Sequence, residues 1–177
     1  MTAQPTMRSA NGRRTFSCFP GAVMVFHINE NEEFLMLTAG NDVWEVVSGA
    51  LEDNETILDG AVRESLEELG SDIRIAPLGV VHALSFGYDE KIRNMISILY
   101  LMRFDGGPVV PGDDMTGAEY QWWNLDQIRE NIDKVYKPEK QLWLFQRALD
   151  LFRLYRNETP DLEYSTNPNS APSIPVV

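Results

Sequence analysis

Hydrophobic residues along this chain fall into short runs with two distinct spacings. GAVMVFHI (21–28) and EFLMLT (33–38) are apolar runs of strand length parted by the polar turn NENE (29–32), which predicts two neighbouring β-strands. VWEVV (43–47) predicts a short third strand. IRIAPLGVVHAL (73–84) is interrupted by Pro77 and Gly79 and reads as strand, bend, strand. NMISILYLMRF (94–104) puts Ile96, Ile98, Tyr100, Met102 and Phe104 on one face at period two. GGPVVPGDD (106–114) reads as a loop and EYQWWNL (119–125) as a last short strand.

Two other segments follow the helical period. In PEKQLWLFQRALDLFRLY (138–155), Leu142, Phe145, Leu149 and Phe152 share one face, which Trp143 and Leu151 are expected to widen. In the segment after the third strand, Thr56 and Asp59 form a capping box, so a helix begins near Thr56; Gly70 is placed to end it. Leu58, Val62, Leu66 and Leu69 cluster on one side of its wheel, and Glu64, Glu67 and Glu68 lie nearly opposite. Gly60 inside it costs about 1 kcal/mol relative to alanine, which a close neighbour would explain. Strands and helices interleaved without a strict βαβ rhythm predict an α/β fold, a mixed sheet between helices. No internal repeat is visible. Residues 1–15 and the Pro/Ser/Asn-rich 157–177 are expected to be flexible tails around one domain at 16–156.

Composition fits that picture, at 44% hydrophobic and 24% charged over 177 residues. No apolar run approaches the ~20 residues of a membrane span. The N-terminal residues lack the apolar core of a secretory signal and resemble a transit peptide only faintly. The single cysteine, Cys18, excludes an internal disulfide and a cysteine zinc cluster, so a cytoplasmic location is expected. Fifteen bases against 27 acids give a net charge of −12, which repels nucleic-acid polymers. A small anionic substrate stays compatible, because bound cations reverse the local field.

The charge is concentrated in GALEDNETILDGAVRESLEELGSDI (49–73), where Arg63 is the only base. Glu64 and Glu68 are four apart, a spacing that destabilises a helix by a few tenths of a kcal/mol. Such a face is either solvated or a site for hard cations, since Mg²⁺ and Mn²⁺ prefer carboxylate oxygens. The wider spacing favours the second reading. Gly49, Glu55 and RESLEELG (63–70) resemble the Nudix box, G-x5-E-x7-R-E-U-x-E-E-x-G-U, where U is bulky and apolar. All seven invariant letters are present; at roughly one in fifteen each, a chance match has odds on the order of one in a million. Both U positions depart from the pattern, as Ser65 and Ser71, with Ile73 expected to pack in place of the second. Val47 and Ser48 stand where many members carry Pro-Gly-Gly or Ala-Gly.

The resemblance implies a Nudix-type α/β/α sandwich with a loop-helix-loop metal site. It implies hydrolysis of a pyrophosphate linkage in a nucleoside diphosphate derivative: a dinucleoside polyphosphate, a (d)NTP, dihydroneopterin triphosphate or an ADP-ribose-like compound. Mg²⁺ or Mn²⁺ would be the cofactor. Glu64 and Glu68 would be the principal metal ligands, Glu67 a further ligand or water bridge, and Glu55 a second-shell or additional ligand. The backbone carbonyl near Gly49 would complete the sphere, and Arg63 would orient a box carboxylate. The general base varies in the family; Glu119, or Asp113 and Asp114 in the preceding loop, are the candidates. Tyr88 stands about where members cleaving dinucleoside polyphosphates carry a base-stacking tyrosine, and Phe86 where ADP-ribose members tend to have a proline. WEVVSG (44–49) has some likeness to dihydroneopterin triphosphate pyrophosphatases, so the substrate stays open. Cys18 lacks the motif context of isopentenyl diphosphate isomerase. His27 and His82 read as packing or polar surface.

The rival reading is a catalytically silent Nudix module that senses a nucleotide; such modules often lose box carboxylates, and this chain keeps all of them. A structural acidic domain is the third. The expected partner is a small nucleotide, with no nucleic-acid polymer and no membrane, and a homodimer is compatible with the sequence.

Overall fold

A computed structural model describes residues 5–40, 42–136 and 140–157. The chain runs β1 (Thr6–Arg8), β2 (Thr15–Ser17), β3 (Gly21–Ile28), β4 (Phe34–Thr38), β5 (Val47–Ala50), α1 (Ile57–Leu69), β6 (Arg74–Phe86), β7 (Met95–Gly106), β8 (Glu119–Trp123), α2 (Leu125–Glu130) and α3 (Leu142–Tyr155). Two 3-10 turns, Asp113–Met115 and Ile132–Lys134, lie in the connections. Six strands form one sheet in the order β6-β7-β3-β4-β8, with β5 also paired to β3. The β3–β7 pair is parallel and the others antiparallel, so the sheet is mixed, as expected.

β3 is buried on both faces, which is why GAVMVFHI reads as a continuous apolar run. Its even-numbered residues face α3: Phe26 meets Phe34 and Phe145 edge-to-face at centroid separations of 6.2 and 5.2 Å. Val23 and Val25 face the other way, packing with Leu35, Leu37 and Val47 against Ala61 and Leu69 of α1. Each fully buried side chain of this size contributes roughly 1.5–3 kcal/mol. α1 therefore lies on one face and α3 on the other.

Several elements depart from expectation. In VWEVV, Trp44 and Glu45 make only isolated bridges, to Val135 and Leu37, and the ladder with β3 begins at Val47. Pro77 and Gly79 do not break β6; register shifts at Arg74/Ile75, Pro77/Gly79 and Val80/His82 let it follow β7 as one irregular strand. Asn124 ends β8 and caps α2, through a reciprocal box with Gln127. Trp143 is 47% exposed and stacks edge-on against His82 instead of widening the buried face of α3; Leu151 does pack against the core. Residues expected as an N-terminal tail include an exposed β1–β2 ladder from Thr6↔Ser17 to Arg8↔Thr15. The expected C-terminal tail lies outside the described residues from 158 onward. Among the described residues no helix is long and apolar enough to cross a membrane.

Candidate active site

Thr56 caps α1 as expected: its hydroxyl oxygen accepts from the Asp59 N–H while the Asp59 carboxylate accepts from the Thr56 N–H, both at 3.2 Å. At the other end the Gly70 N–H donates to the Leu66 carbonyl at 3.0 Å, and Gly70 takes a φ of 101°. The Gly60 cost is also explained. A Cβ there would lie 2.5 Å from Leu51 and 2.9 Å from the Glu55 carboxylate, so glycine lets the preceding loop fold onto the helix.

The face of α1 turned to the sheet includes the expected Leu69, with Leu58, Val62 and Leu66 packed at its edge, but it is wider than the polarity pattern suggests. Ala61, Ser65 and Leu69 point at the sheet, and Glu64 and Glu68 are only 8% and 4% exposed. Leu58, Val62 and Leu66 are half-buried and line an open groove with Pro77 and Ser71. Glu64 sinks inward where Gly49 of β5 offers no side chain to oppose it. A Cβ on Gly49 would lie 2.0 Å from the Glu64 carboxylate, and the Ser48 N–H donates to Glu68 Oε1 at 3.3 Å.

Arg63 ties the cluster together. Its Nε and Nη2 donate to Glu55 at 3.0 and 2.8 Å, and Nη1 donates to Glu64 at 2.8 Å and Glu67 at 2.9 Å. Nη2 also donates to the Ala50 carbonyl at 2.9 Å, fixing the guanidinium to the end of β5. The arginine holds the Glu55 carboxyl below the usual carboxylate range, and Glu55 raises the arginine in turn. Glu55, Glu64, Glu67 and Glu68 against one arginine leave a local surplus of three negative charges, four minus one.

The box residues Gly49, Glu55, Arg63, Glu64, Glu67 and Glu68 are thus brought together. The other candidates are dispersed. Glu119 pairs with Thr38 at the start of β8; strand alternation puts it on the same face as Trp123, the α3 side, away from α1. Asp113 instead lies in a 3-10 turn beside the C-terminal end of α1: the Gly112 N–H donates to the Glu68 carbonyl at 3.2 Å and the Val110 N–H to the Leu69 carbonyl at 2.8 Å. Asp114 belongs to the same turn. Tyr88 is 64% exposed in the β6–β7 loop. That loop leaves the sheet at the end where β3 begins, which is also the end from which the β5–α1 loop leaves.

As a donor set the cluster fits a hard divalent cation: it offers oxygen ligands, surplus negative charge and a glycine that leaves room for them. Among the described residues no group of three or more acidic, histidine or cysteine side chains is arranged to hold a metal ion, and Arg63 bridges Glu55, Glu64 and Glu67. A NUDIX domain model matches residues 19–148. The chain belongs to the NUDIX domain family. A MutT-like protein from Streptomyces ambofaciens is 28% identical over 98 residues, 55% of this chain and 58% of that relative. Among solved structures, a NUDIX-family hydrolase from Clostridium perfringens matches with a TM-score of 0.61 at 16% identity, covering 75% of this chain and 97% of that one. A possible asymmetric diadenosine tetraphosphate hydrolase from Jonesia denitrificans also reaches 0.61 at 16% identity, covering 81% and 98%. At these identities the structures establish the Nudix fold and nothing narrower.

Ser65 is a feature that sequence reasoning registered only as a departure from the Nudix box. It is wholly buried and stands 3.0 Å from Nε2 of His27, itself 1% exposed on β3. Burial lowers the His27 pKa to about 3, opposed by the Val25 backbone. The unfolded chain binds this proton below about pH 6.5 and the folded chain only near 3, so stability falls with pH across that window, by ~1.4 kcal/mol per unit from this group. Urea denaturation at pH 7 and pH 4.5 should show a smaller loss in His27→Leu than in the unsubstituted protein; equal losses would refute a buried neutral histidine.

Proposed function

We propose that this NUDIX-domain protein hydrolyses a pyrophosphate linkage in a small nucleoside diphosphate derivative, with Mg²⁺ or Mn²⁺ held by Glu64, Glu68 and the backbone at Gly49. The observation that carries the proposal is the pair of sunken carboxylates packed against a strand with no side chain at Gly49. The metal would supply charge neutralisation of the phosphates and activation of water. Glu67, 41% exposed, would exchange its bond to Arg63 for a ligand or a bridging water, and Glu55 holds Arg63 in place. Asp113 is preferred over Glu119 as general base, because its turn packs on α1.

Within the substrate class, dinucleoside polyphosphates are favoured. Tyr88 and the box loop leave the same end of the sheet with β7 and β3 between them, about 10–15 Å apart at normal strand spacing. That separation suits an exposed ring stacking on a base while the phosphates reach α1. The diadenosine tetraphosphate reading of the Jonesia relative agrees with it. A small nucleotide is therefore the proposed partner. The test is hydrolysis of a panel of dinucleoside polyphosphates, (d)NTPs, ADP-ribose, sugar nucleotides and dihydroneopterin triphosphate, with products identified by mass. A dinucleoside polyphosphate well ahead, and weakened by Tyr88→Ala mainly in KM, supports the reading. A different leading substrate would overturn the preference, and nucleotide binding without turnover on any substrate would point to a sensor module.

A further inference from the structure

Away from the carboxylates at β5, the layer between α1 and the sheet is largely apolar. Val23, Val25, Leu35, Leu37, Val47, Ala61, Leu69 and Met102 fill it, and within it His27 of β3 meets Ser65 of α1. Ser65 occupies the box position at which the family favours a bulky apolar side chain. Here a histidine reaching across from the sheet takes up that space.

The hydrogens in this contact follow from its distances. Ser65 Oγ lies 2.6 Å from the Ala61 carbonyl oxygen, a separation that two oxygens keep only with a proton between them. The carbonyl cannot donate, so the single hydroxyl proton of Ser65 is used there. The proton in the 3.0 Å contact with His27 must then come from the ring, as Nε2–H donating to Ser65 Oγ. Nδ1 then carries the lone pair; this buried atom makes no hydrogen bond of normal geometry, although the nearby Val25 backbone favours a protonated ring. A neutral imidazole whose proton is fixed on Nε2 is thus coupled to the backbone of α1 through one hydroxyl.

The location of this contact gives it a consequence for the metal site. Ser65 is next to Glu64 and three residues, a little under one turn, before Glu68. β3 carries His27 and also pairs with β5, through Met24↔Ser48 and Val23↔Gly49, the residues against which Glu68 and Glu64 rest. One strand therefore sets both the glycine surface that receives the carboxylates and the histidine that grips the helix bearing them. Apolar packing of Ala61 and Leu69 tolerates small sliding or rotation of α1, whereas a hydrogen bond does not.

We propose that His27 is a positioning residue: through Nε2–H···Ser65 it fixes the rotation of α1 on the sheet, so that Glu64 and Glu68 are presented together to a divalent cation. This rests on the metal-dependent reading of the site given above.

Two measurements on the 177-residue chain test it. In ¹⁵N-labelled protein, the His27 ring should show protonated Nε2 and unprotonated Nδ1 at neutral pH. A ring protonated on Nδ1 would overturn the proposal. The second measurement is Mn²⁺ affinity, by electron paramagnetic resonance, in His27→Leu/Ser65→Ala. Removing both partners leaves no orphaned polar group, so the fold and thermal midpoint should be close to those of the unsubstituted protein. The Mn²⁺ dissociation constant should nevertheless rise roughly tenfold, in the range found for groups that orient metal ligands. Unchanged affinity in a folded double variant would reduce the contact to packing. An unsubstituted protein that binds no Mn²⁺ would instead refute the metal-site reading, while the ring protonation would still be decided by the ¹⁵N spectrum.

Discussion

Glu64→Gln and Glu68→Gln are each expected to lower turnover by roughly a hundredfold or more while leaving the protein folded. The amide keeps the shape and one oxygen of each side chain but removes the charge that a hard cation requires. Folding should survive because both glutamates are buried among like charges. Replacing one with a neutral group relieves repulsion around Arg63, which keeps its bonds to Glu55 and the Ala50 carbonyl. Glu68→Gln still offers an oxygen to the Ser48 N–H. Steady-state rates at saturating Mg²⁺, with circular dichroism to confirm the fold, check both variants. Near-native rates in the pair would remove the metal mechanism.

Gly49→Ala should be nearly as damaging, although it adds a single methyl group and changes no charge. The new Cβ would sit 2.0 Å from the Glu64 carboxylate, well inside contact distance, so either β5 moves or Glu64 leaves its place. A shift of β5 disturbs a ladder of four residue pairs with β3 and costs roughly 1–3 kcal/mol, as overpacking does. Departure of Glu64 spares the fold and empties the site. In either case a loss of turnover on the order of a hundredfold is expected, with a lower thermal midpoint only if the strand gives way. Wild-type turnover in Gly49→Ala would show that Glu64 works from some other position.

The chain discloses its site more readily than the surroundings of that site. The resemblance to the Nudix box picked out Gly49, Glu55, Arg63, Glu64, Glu67 and Glu68, and the fold brings these residues together around Arg63. The ends of α1 were equally legible, since Thr56, Asp59 and Gly70 act through local backbone bonds. Its orientation was legible in part. Leu58, Val62, Leu66 and Leu69 pack on the core side as their spacing predicts, the first three only partly buried. A helical wheel assumes that charge faces water, whereas Glu64 and Glu68 turn inward toward Gly49 and the Ser48 N–H, which only β5 can supply. Helix α2 was signalled by Asn124 and Gln127, a capping pair masked by the strand pattern just before it. Sequence put Glu119 ahead of Asp113 as base candidate; their placement depends on the register of β8 and on a loop docked to the end of α1, neither of which is legible in the chain. Ser65 was visible as a departure from the box, but its partner lies 38 positions away on another element.

Mn²⁺ binding in the unsubstituted protein and in Glu64→Gln/Glu68→Gln, followed by electron paramagnetic resonance at neutral pH, tests the central claim most directly. Saturable binding in the first that is lost in the second is the predicted result. Equal Mn²⁺ binding by both proteins would contradict it.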